Sequence, residues 1–116
     1  MIWAGPAYHG TISGAFKNAL DFLEFLNTER PFYLTDKVVG LIATAGGMFA
    51  ATNTINAMSH IAQTLRAWTA TIQVPVGPSR DFFSNGELRD ERTRERLQML
   101  GRQVVRFVQA RSAGRA

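Results

Sequence analysis

Apolar residues form two different patterns along the chain, short continuous runs and segments at helical spacing. Each pattern predicts one type of element. Short apolar runs at Met1–Gly5, Lys37–Ala45 and Thr71–Val76 are typical of buried strands, and Pro6 and Gly46–Gly47 end the first two. The second run is almost continuously apolar and β-branched, the pattern of a strand covered on both faces of a parallel sheet. The chain is therefore predicted to hold three strands, with the first beginning at its first residue.

Three further segments carry apolar residues at helical spacing. They cover about Ser13 to Leu26, Ala50 to Trp68 and Leu88 to Arg111. Ser13 is placed to cap the first helix, and Thr52 or Asn53 the second. The predicted buried stripes are Phe16, Ala19, Leu20, Leu23 and Leu26 in the first helix, Ile55, Met58, Ala62, Leu65 and Trp68 in the second, and Leu97, Leu100, Val104, Phe107 and Val108 in the third.

The order strand, helix, strand, helix, strand, helix predicts an α/β fold, a doubly wound parallel sheet with right-handed crossovers and helices on both faces. Three strands make a small sheet, and a parallel strand that begins on the first residue has nothing upstream to pair with it. We therefore expect residues 1–116 to form a single domain that is N-terminally truncated relative to a larger one.

Two aromatic residues of the first helix, Phe22 and Phe25, lie off its apolar stripe. A stable monomer rarely exposes such a pair to water. We expect another chain or an adjacent segment to cover them.

Composition narrows the class of protein. Of 116 residues, 46% are hydrophobic and 19% charged, as in a single globular domain. Cysteine is absent, which excludes disulfides, a thiolate nucleophile and cysteine-bound metal. Met1–Pro6 lacks the basic flank of a targeting signal, and the apolar run Val38–Ala45 is too short to cross a bilayer. The sequence predicts a cytoplasmic protein without a membrane partner.

The net charge of +4 comes entirely from residues 80–116, where nine arginines outnumber five acidic residues. Half of these charges lie in the mixed run from Arg89 to Arg96, inside the third predicted helix, a pattern typical of a solvated face with local ion pairs. No aromatic residues interleave with this run, and no nucleic-acid motif accompanies it. No nucleic-acid partner is predicted.

Candidate chemistry lies in the loops that follow the strands, because ligands of doubly wound sheets bind beyond the carboxyl ends of the strands. The segment Pro6–Ser13 offers backbone amides, the ring of Tyr8 and a helix N-terminus. In Thr44–Phe49, two glycines let the backbone approach a flat ligand. The two loops could form a slot for a planar heteroaromatic ring, although each feature also has a purely structural interpretation as a turn, a surface loop or a cap. The third such segment, Gly77–Ser84, has no distinctive motif.

Other chemistries lack a sequence signature. The two histidines, His9 and His60, have no acidic partner nearby in sequence, so no metal site is predicted, and a triad assembled in space is left open. Neither a dinucleotide-binding glycine motif nor a phosphate-binding P-loop is present. No catalytic side chain is predicted.

One segment is distinctive enough to compare with a known family. Residues 5–23, GPAYHGTISGAFKNALDFL, resemble the P-x-Y-x-x-[ST]-[IV]-[SP]-G-x-[LF]-K-N-x-[IL]-D segment of NAD(P)H-dependent FMN reductases, which have a flavodoxin-like fold. The similarity continues through Lys37–Val39, which open a strand ending in Thr44–Gly47, and through the later helix, strand and helix. It covers nearly the whole chain.

The resemblance implies a flavodoxin-like doubly wound sheet, FMN as cofactor and NADPH or NADH as electron donor. The flavin would pass electrons to a small-molecule acceptor such as free flavin, a quinone, an azo compound or a metal oxyanion. The loop from Pro6 to Gly10 would hold the isoalloxazine, and the loop from Thr44 to Met48 would line its pyrimidine side. The implied cofactor-binding residues are Pro6, Ala7, Tyr8, His9, Gly10, Thr44, Ala45, Gly46, Gly47 and Met48. The chemistry belongs to the flavin, so no catalytic side chain is implied.

The resemblance also bears on assembly. Members of the family form dimers or tetramers through helices beside the site, which would account for Phe22 and Phe25. Their phosphate-binding loop follows an earlier strand and would lie before Met1, so the N-terminal phosphate-binding part is expected to be missing. Two alternatives stay open: a non-catalytic flavodoxin-like fragment that acts through self-association or a partner chain, and an electron-carrier flavodoxin, which the basic charge disfavours.

Overall fold

The computed structural model describes residues 1–78 and 82–114 and shows a parallel sheet with helices on both faces, as predicted. Its elements in chain order are β1 Ile2–Tyr8, β2 Thr11–Ile12, α1 Gly14–Asp21, a 3-10 helix Phe22–Leu26, β3 Val38–Thr44, α2 Met48–Thr64, β4 Trp68–Thr69, β5 Val74–Val76, β6 Phe83–Ser84, β7 Glu87–Leu88 and α3 Glu91–Gly114. None of the helices in the described parts of the chain combines the length and apolar character needed to cross a membrane.

β3 is the central strand of the sheet. β1 pairs with it in parallel from Ile2↔Gly40 to Pro6↔Thr44, and β4 and β5 pair in parallel along its other side. The short strand β2 continues the sheet outside β1, in antiparallel orientation. The carboxyl ends of β1, β3 and β5 therefore meet at one edge of the sheet.

The third predicted strand is shorter than expected. Of the run Thr71–Val76 only β5 is extended and paired, and the earlier β4 pairs with the other end of β3. Between them, the backbone N–H of Ile72 donates to Gln103 Oε1 of α3 at 3.0 Å. Because a side chain satisfies this donor, the segment does not need the strand ladder.

Pro6 does not end the first strand, which continues to Tyr8. The backbone of Met1 both donates to Val38 O at 2.8 Å and accepts from Gly40 N at 2.9 Å. In a parallel ladder every second residue bonds to the same neighbour, so Pro6 faces the outer side of β1. Its missing N–H therefore costs no bond to β3, which is why the strand tolerates it.

The two faces of β3 carry two separate cores. Val39, Leu41 and Ala43 pack against α1 and α2, whereas α3 covers the opposite face through Leu100. Gly40 lets α3 approach closely, because a Cβ there would lie 2.8 Å from Leu100 Cδ1. The prediction of a central strand buried on both faces is confirmed.

The first helix is shorter than predicted, and fewer of its residues are buried. Ser13 caps it as expected, with its Oγ accepting from Phe16 N at 3.0 Å, but the α-helix ends at Asp21 and the 3-10 helix follows. Ala19 is exposed, contrary to the predicted stripe. The buried residue is Leu20, and one step along an α-helix turns the side chain by about 100°, which carries Ala19 off the packed face.

The second helix begins before the predicted caps. Its N-cap is Gly47, without a side-chain hydrogen bond, so Thr52 and Asn53 lie inside the helix. Ile55, Met58 and Ala62 are buried as predicted. Trp68 is not helical: α2 ends at Thr64, and Trp68 belongs to β4, where its side chain is exposed.

The segment around Asn85 and Gly86, between the third predicted strand and the third predicted helix, contains a hairpin of β6 and β7. Both residues have positive φ, 51° and 78°, the geometry of the two-residue type I′ turn that Asn-Gly favours. α3 consequently starts at Glu91 instead of Leu88. Its buried face is centred on Leu100, and the predicted Val108 is exposed.

The end of α3 is also longer than predicted. Residues 112–114, beyond the predicted end of the helix at Arg111, continue it. Residues 115 and 116 lie outside the described residues.

Candidate functional site

An open cleft of about 620 Å³ lies at the carboxyl ends of β1, β3 and β5. This is the edge of a parallel sheet where ligands are expected, and the volume is in the range of small-molecule sites. Its described lining consists of Pro6, Ala7, Tyr8, Thr44, Ala45, Gly46, Val76, Gly77, Pro78 and Phe83.

The register of the sheet joins the two loops that the sequence selected. Pro6 lies opposite Thr44 in the parallel ladder, so Ala7 and Tyr8 at the end of β1 emerge beside the residues that follow β3. Ala45 N donates to Val76 O at 3.0 Å, which fixes the second loop to the end of β5. Six of the ten residues expected at the site line this cleft: Pro6, Ala7, Tyr8, Thr44, Ala45 and Gly46.

The other four expected residues border the cleft without lining it. His9 and Gly10 form the turn between β1 and β2, with φ of 53° and 80°, and Gly10 O accepts from Asn53 Nδ2 at 2.7 Å. That hydrogen bond ties the tip of this hairpin to α2. Gly47 and Met48 form the start of α2, directly after the lining residue Gly46.

The third wall of the cleft comes from residues that sequence reasoning did not single out. Val76 ends β5, Gly77 and Pro78 follow it, and Phe83 comes from the β6–β7 hairpin. A Cβ at Gly77 would lie 3.2 Å from both Met48 Sδ and Phe82 Cε2, so a side chain there would disturb this wall. The sequence indicated Gly77–Ser84, because it follows the third predicted strand. Only the Asn85-Gly86 turn signal could have located the hairpin.

The described lining of the cleft is uncharged, because none of these residues carries a charged side chain. The titratable group among them is the phenol of Tyr8. Tyr8 and Phe83 are 60% and 46% exposed, so two aromatic rings flank the opening. The first turn of α2 has no acidic residue and no side-chain cap, so the positive end of its dipole is uncompensated beside Gly46. Such a site suits a planar ring system with an electron-rich edge.

The remaining candidate side chains are engaged elsewhere. Ser13 is buried and its Oγ serves as the cap of α1. His60 is exposed on α2 and lies among residues of a second groove, between α1 and α2. The described lining of the cleft therefore contains neither serine nor histidine.

These features define the class of protein. A parallel sheet lies between α1 and α2 on one face and α3 on the other, with a ligand-sized cleft at the carboxyl ends of its strands. This is a flavodoxin-like α/β protein. The chain belongs to the NADPH-dependent FMN reductase family, whose family model matches residues 1–81.

Two relatives extend the similarity beyond residue 81. The chain is 31% identical over 112 residues to proteins named FMN-dependent NADPH-azoreductase in Staphylococcus aureus strains USA300 and NCTC 8325 / PS 47. The similar region covers 93% of this chain and 55% of each relative. The chain thus spans about half the length of the curated relatives it matches.

Proposed function

We propose that this chain forms the ring-binding part of an NAD(P)H-dependent flavin oxidoreductase. In this proposal the cleft would hold FMN, which would supply the transfer of hydride from NADPH or NADH and of electrons to a small-molecule acceptor. The observation that carries the proposal is the convergence of Pro6–Tyr8 and Thr44–Gly46 on one uncharged cleft at the carboxyl edge of the sheet. Membership of the FMN reductase family supports it independently.

The cleft fits the ring of FMN better than it fits the phosphate. Proline, alanine and glycine surfaces with an aromatic side chain at the mouth suit a flat heteroaromatic ring, and a Cβ at Gly46 would point into open space. Its described lining includes neither lysine nor arginine, so these residues offer a phosphate no cationic side chain. We therefore assign the ring, and not the phosphate, to this cleft.

The chain's own residues act by binding and orientation. The Pro6–Tyr8 segment and Gly46 would hold the ring between them, and the N-terminus of α2 would stabilise negative charge that develops on it. When bound, FMN supplies the hydride and electron-transfer chemistry. The protein contributes a fixed geometry and partial exclusion of water, so no acid-base side chain is needed.

The acceptor is proposed only as a class. The relatives are named as NADPH-azoreductases, which makes NADPH and an azo compound the first donor and acceptor to test. Free flavin, quinones and metal oxyanions are the other acceptors in the proposal.

A flavin titration tests the proposal. The purified 116-residue chain is titrated with FMN and, separately, with riboflavin, following flavin fluorescence, and NADPH is then added without air while the flavin absorbance is followed. We expect saturable binding of both flavins, with dissociation constants within about threefold of each other, because the described lining of the cleft offers the phosphate no cationic side chain. Bleaching should be faster than with free FMN. A folded chain, checked by circular dichroism, that binds neither flavin would refute the proposal.

A second function, association without catalysis, is favoured by a separate observation. Phe22 and Phe25 are 62% and 77% exposed, and their ring centroids lie 6.1 Å apart. We infer that this pair is the contact through which the chain forms homo-oligomers, dimers or tetramers. The flavin titration distinguishes the two functions, because an association module without catalysis would oligomerise and leave FMN unbound.

A further inference from the structure

The β6–β7 hairpin directs two neighbouring phenylalanines in different directions. Phe82 is partly buried and packs with the core cluster of Val74, Val76 and Leu100. Phe83 instead lines the cleft, where 46% of its surface is exposed. The packing of the hairpin on the domain is thus provided by Phe82, and Phe83 remains available to a ligand.

Backbone contacts close the hairpin on itself, and a side chain of α3 ties it to the domain. Arg89 N donates to Phe82 O at 2.6 Å, and Phe83 lies opposite Leu88 in the ladder. The guanidinium of Arg94, from α3, donates to Leu88 O. An aromatic side chain on an element already fixed in this way loses little further entropy when it contacts a ligand.

The position of Phe83 is complementary to that of Tyr8. Tyr8 ends β1 on one side of the central strand, whereas the hairpin follows β5 on the other side. The lining between them comes from small or apolar residues, without a charged side chain among those described. A flat ligand in the cleft would have an aromatic ring at each side.

We propose that Phe83 is a specificity-determining residue that selects planar aromatic electron acceptors by stacking on them. This inference rests on the proposed function, because it concerns the acceptor that would enter the cleft after the flavin. Stacking between aromatic rings depends on the π-face as well as on apolar area, so an aliphatic side chain of similar size does not replace it.

The test compares Phe83→Leu and Phe83→Tyr with the unmodified flavin-loaded protein. Each is assayed with NADPH and either an aromatic azo dye or ferricyanide, an inorganic acceptor that cannot stack. We expect Phe83→Leu to raise KM for the dye by about three- to tenfold. The ratio of kcat/KM for the dye to kcat/KM for ferricyanide should fall by the same factor. Phe83→Tyr should keep the ratio of the unmodified protein.

A binding measurement gives a readout that does not depend on turnover. The dissociation constant of the dye is measured on the oxidised, flavin-loaded protein without NADPH, from the change in dye absorbance. It should rise in Phe83→Leu by the same factor as KM. Trp68→Leu is the matched control, because Trp68 is 54% exposed but lies at the opposite end of β3 from the cleft.

The outcomes separate this inference from the proposed function. If the unmodified chain binds and reduces flavin but Phe83→Leu keeps both the dye affinity and the ratio, the inference is wrong and the proposed function stands. An equal loss in Phe83→Leu and Phe83→Tyr would also overturn it, because stacking should survive in tyrosine. If the unmodified chain binds no flavin, both fail together, and the flavin titration shows this first.

Discussion

Gly46 is the single residue on which the proposed ring site depends most directly. It follows β3, lines the cleft, and has no atom within 4 Å of an added Cβ. A side chain at this position would therefore project into the space assigned to the ring and leave the packing of the protein intact.

We expect Gly46→Val to weaken FMN binding by about tenfold or more, roughly 1.4 kcal/mol, with little change in the unfolding midpoint. The measurement is the flavin fluorescence titration together with urea unfolding. Gly101→Val on α3 is the matched control, because that glycine also has nothing within 4 Å of an added Cβ. Equal flavin affinity in the two variants would remove Gly46 from the site.

Gly40, unlike Gly46, lies where two elements approach each other closely. An added Cβ would lie 2.6 Å from Ile2 Cδ1 and 2.8 Å from Leu100 Cδ1, both of them side-chain atoms on the α3 face of the sheet. Overpacking of this kind forces side chains and backbone to shift.

We expect Gly40→Val to lower the free energy of unfolding by about 1–3 kcal/mol, as other overpacked cores do. Urea unfolding followed by circular dichroism measures it. Gly101→Val again serves for comparison, since it adds the same side chain without a close contact. A loss no larger than that of the control would show that α3 adjusts freely to the larger residue.

At the scale of elements, α3 depends on the residue before it. Asp90 Oδ2 accepts from Thr93 N at 2.8 Å, and hydrogen bonds from the Thr93 side chain and backbone lower the pKa of Asp90. A carboxyl group whose pKa falls on folding stabilises the folded state above its unfolded pKa. That contribution is lost as the pH falls through the folded value.

We therefore expect the protein to lose stability on acidification below about pH 3.9, the ordinary aspartate value, partly through Asp90. Asp90→Asn keeps an acceptor for the helix terminus but does not titrate, so its urea midpoint should fall less over this range. Midpoints measured from pH 2 to 7 for both proteins provide the comparison. If the urea midpoints of the two proteins fall equally as the pH is lowered, the role given to Asp90 is wrong.

At the scale of the whole molecule, the exposed pair Phe22 and Phe25 bears on assembly. Both residues belong to the 3-10 helix that follows α1, and they pack on each other more than on the core. The proposed oligomer would cover them with a second copy of the chain, in line with the expectation that large apolar patches are buried.

We expect Phe22→Glu to shift the sedimentation profile toward monomer, because a charge in an apolar contact must be desolvated without a partner. Analytical ultracentrifugation over a range of concentrations measures the shift. Gln98→Glu adds the same charge at an exposed position of α3 and should leave the profile unchanged. Identical profiles for all three proteins would exclude this pair as the contact.

The sequence alone predicted much of the fold. A continuous apolar run identified β3, helical spacing identified the three helices, and the Ser13 cap was found at its residue. These signals are local, because periodicity and capping depend on residues a few positions apart. The same locality explains the errors: Pro6 inside a strand, Trp68 outside a helix and the split third strand all depend on bonds to distant residues.

The candidate site, like the fold, was predicted from the sequence only in part. The motif around Pro6–Tyr8 and the glycines after β3 were recognisable from sequence, together with the family and the ring-shaped ligand they imply. Only the tertiary structure decided which of those residues share one cleft, because the parallel register sets Pro6 opposite Thr44. It also supplied the third wall, since Gly77 and Phe83 reach the cleft through β5 and a hairpin whose position depends on packing against the sheet. Residue types determine what a loop can bind, and the long-range ladder and core determine which loops meet.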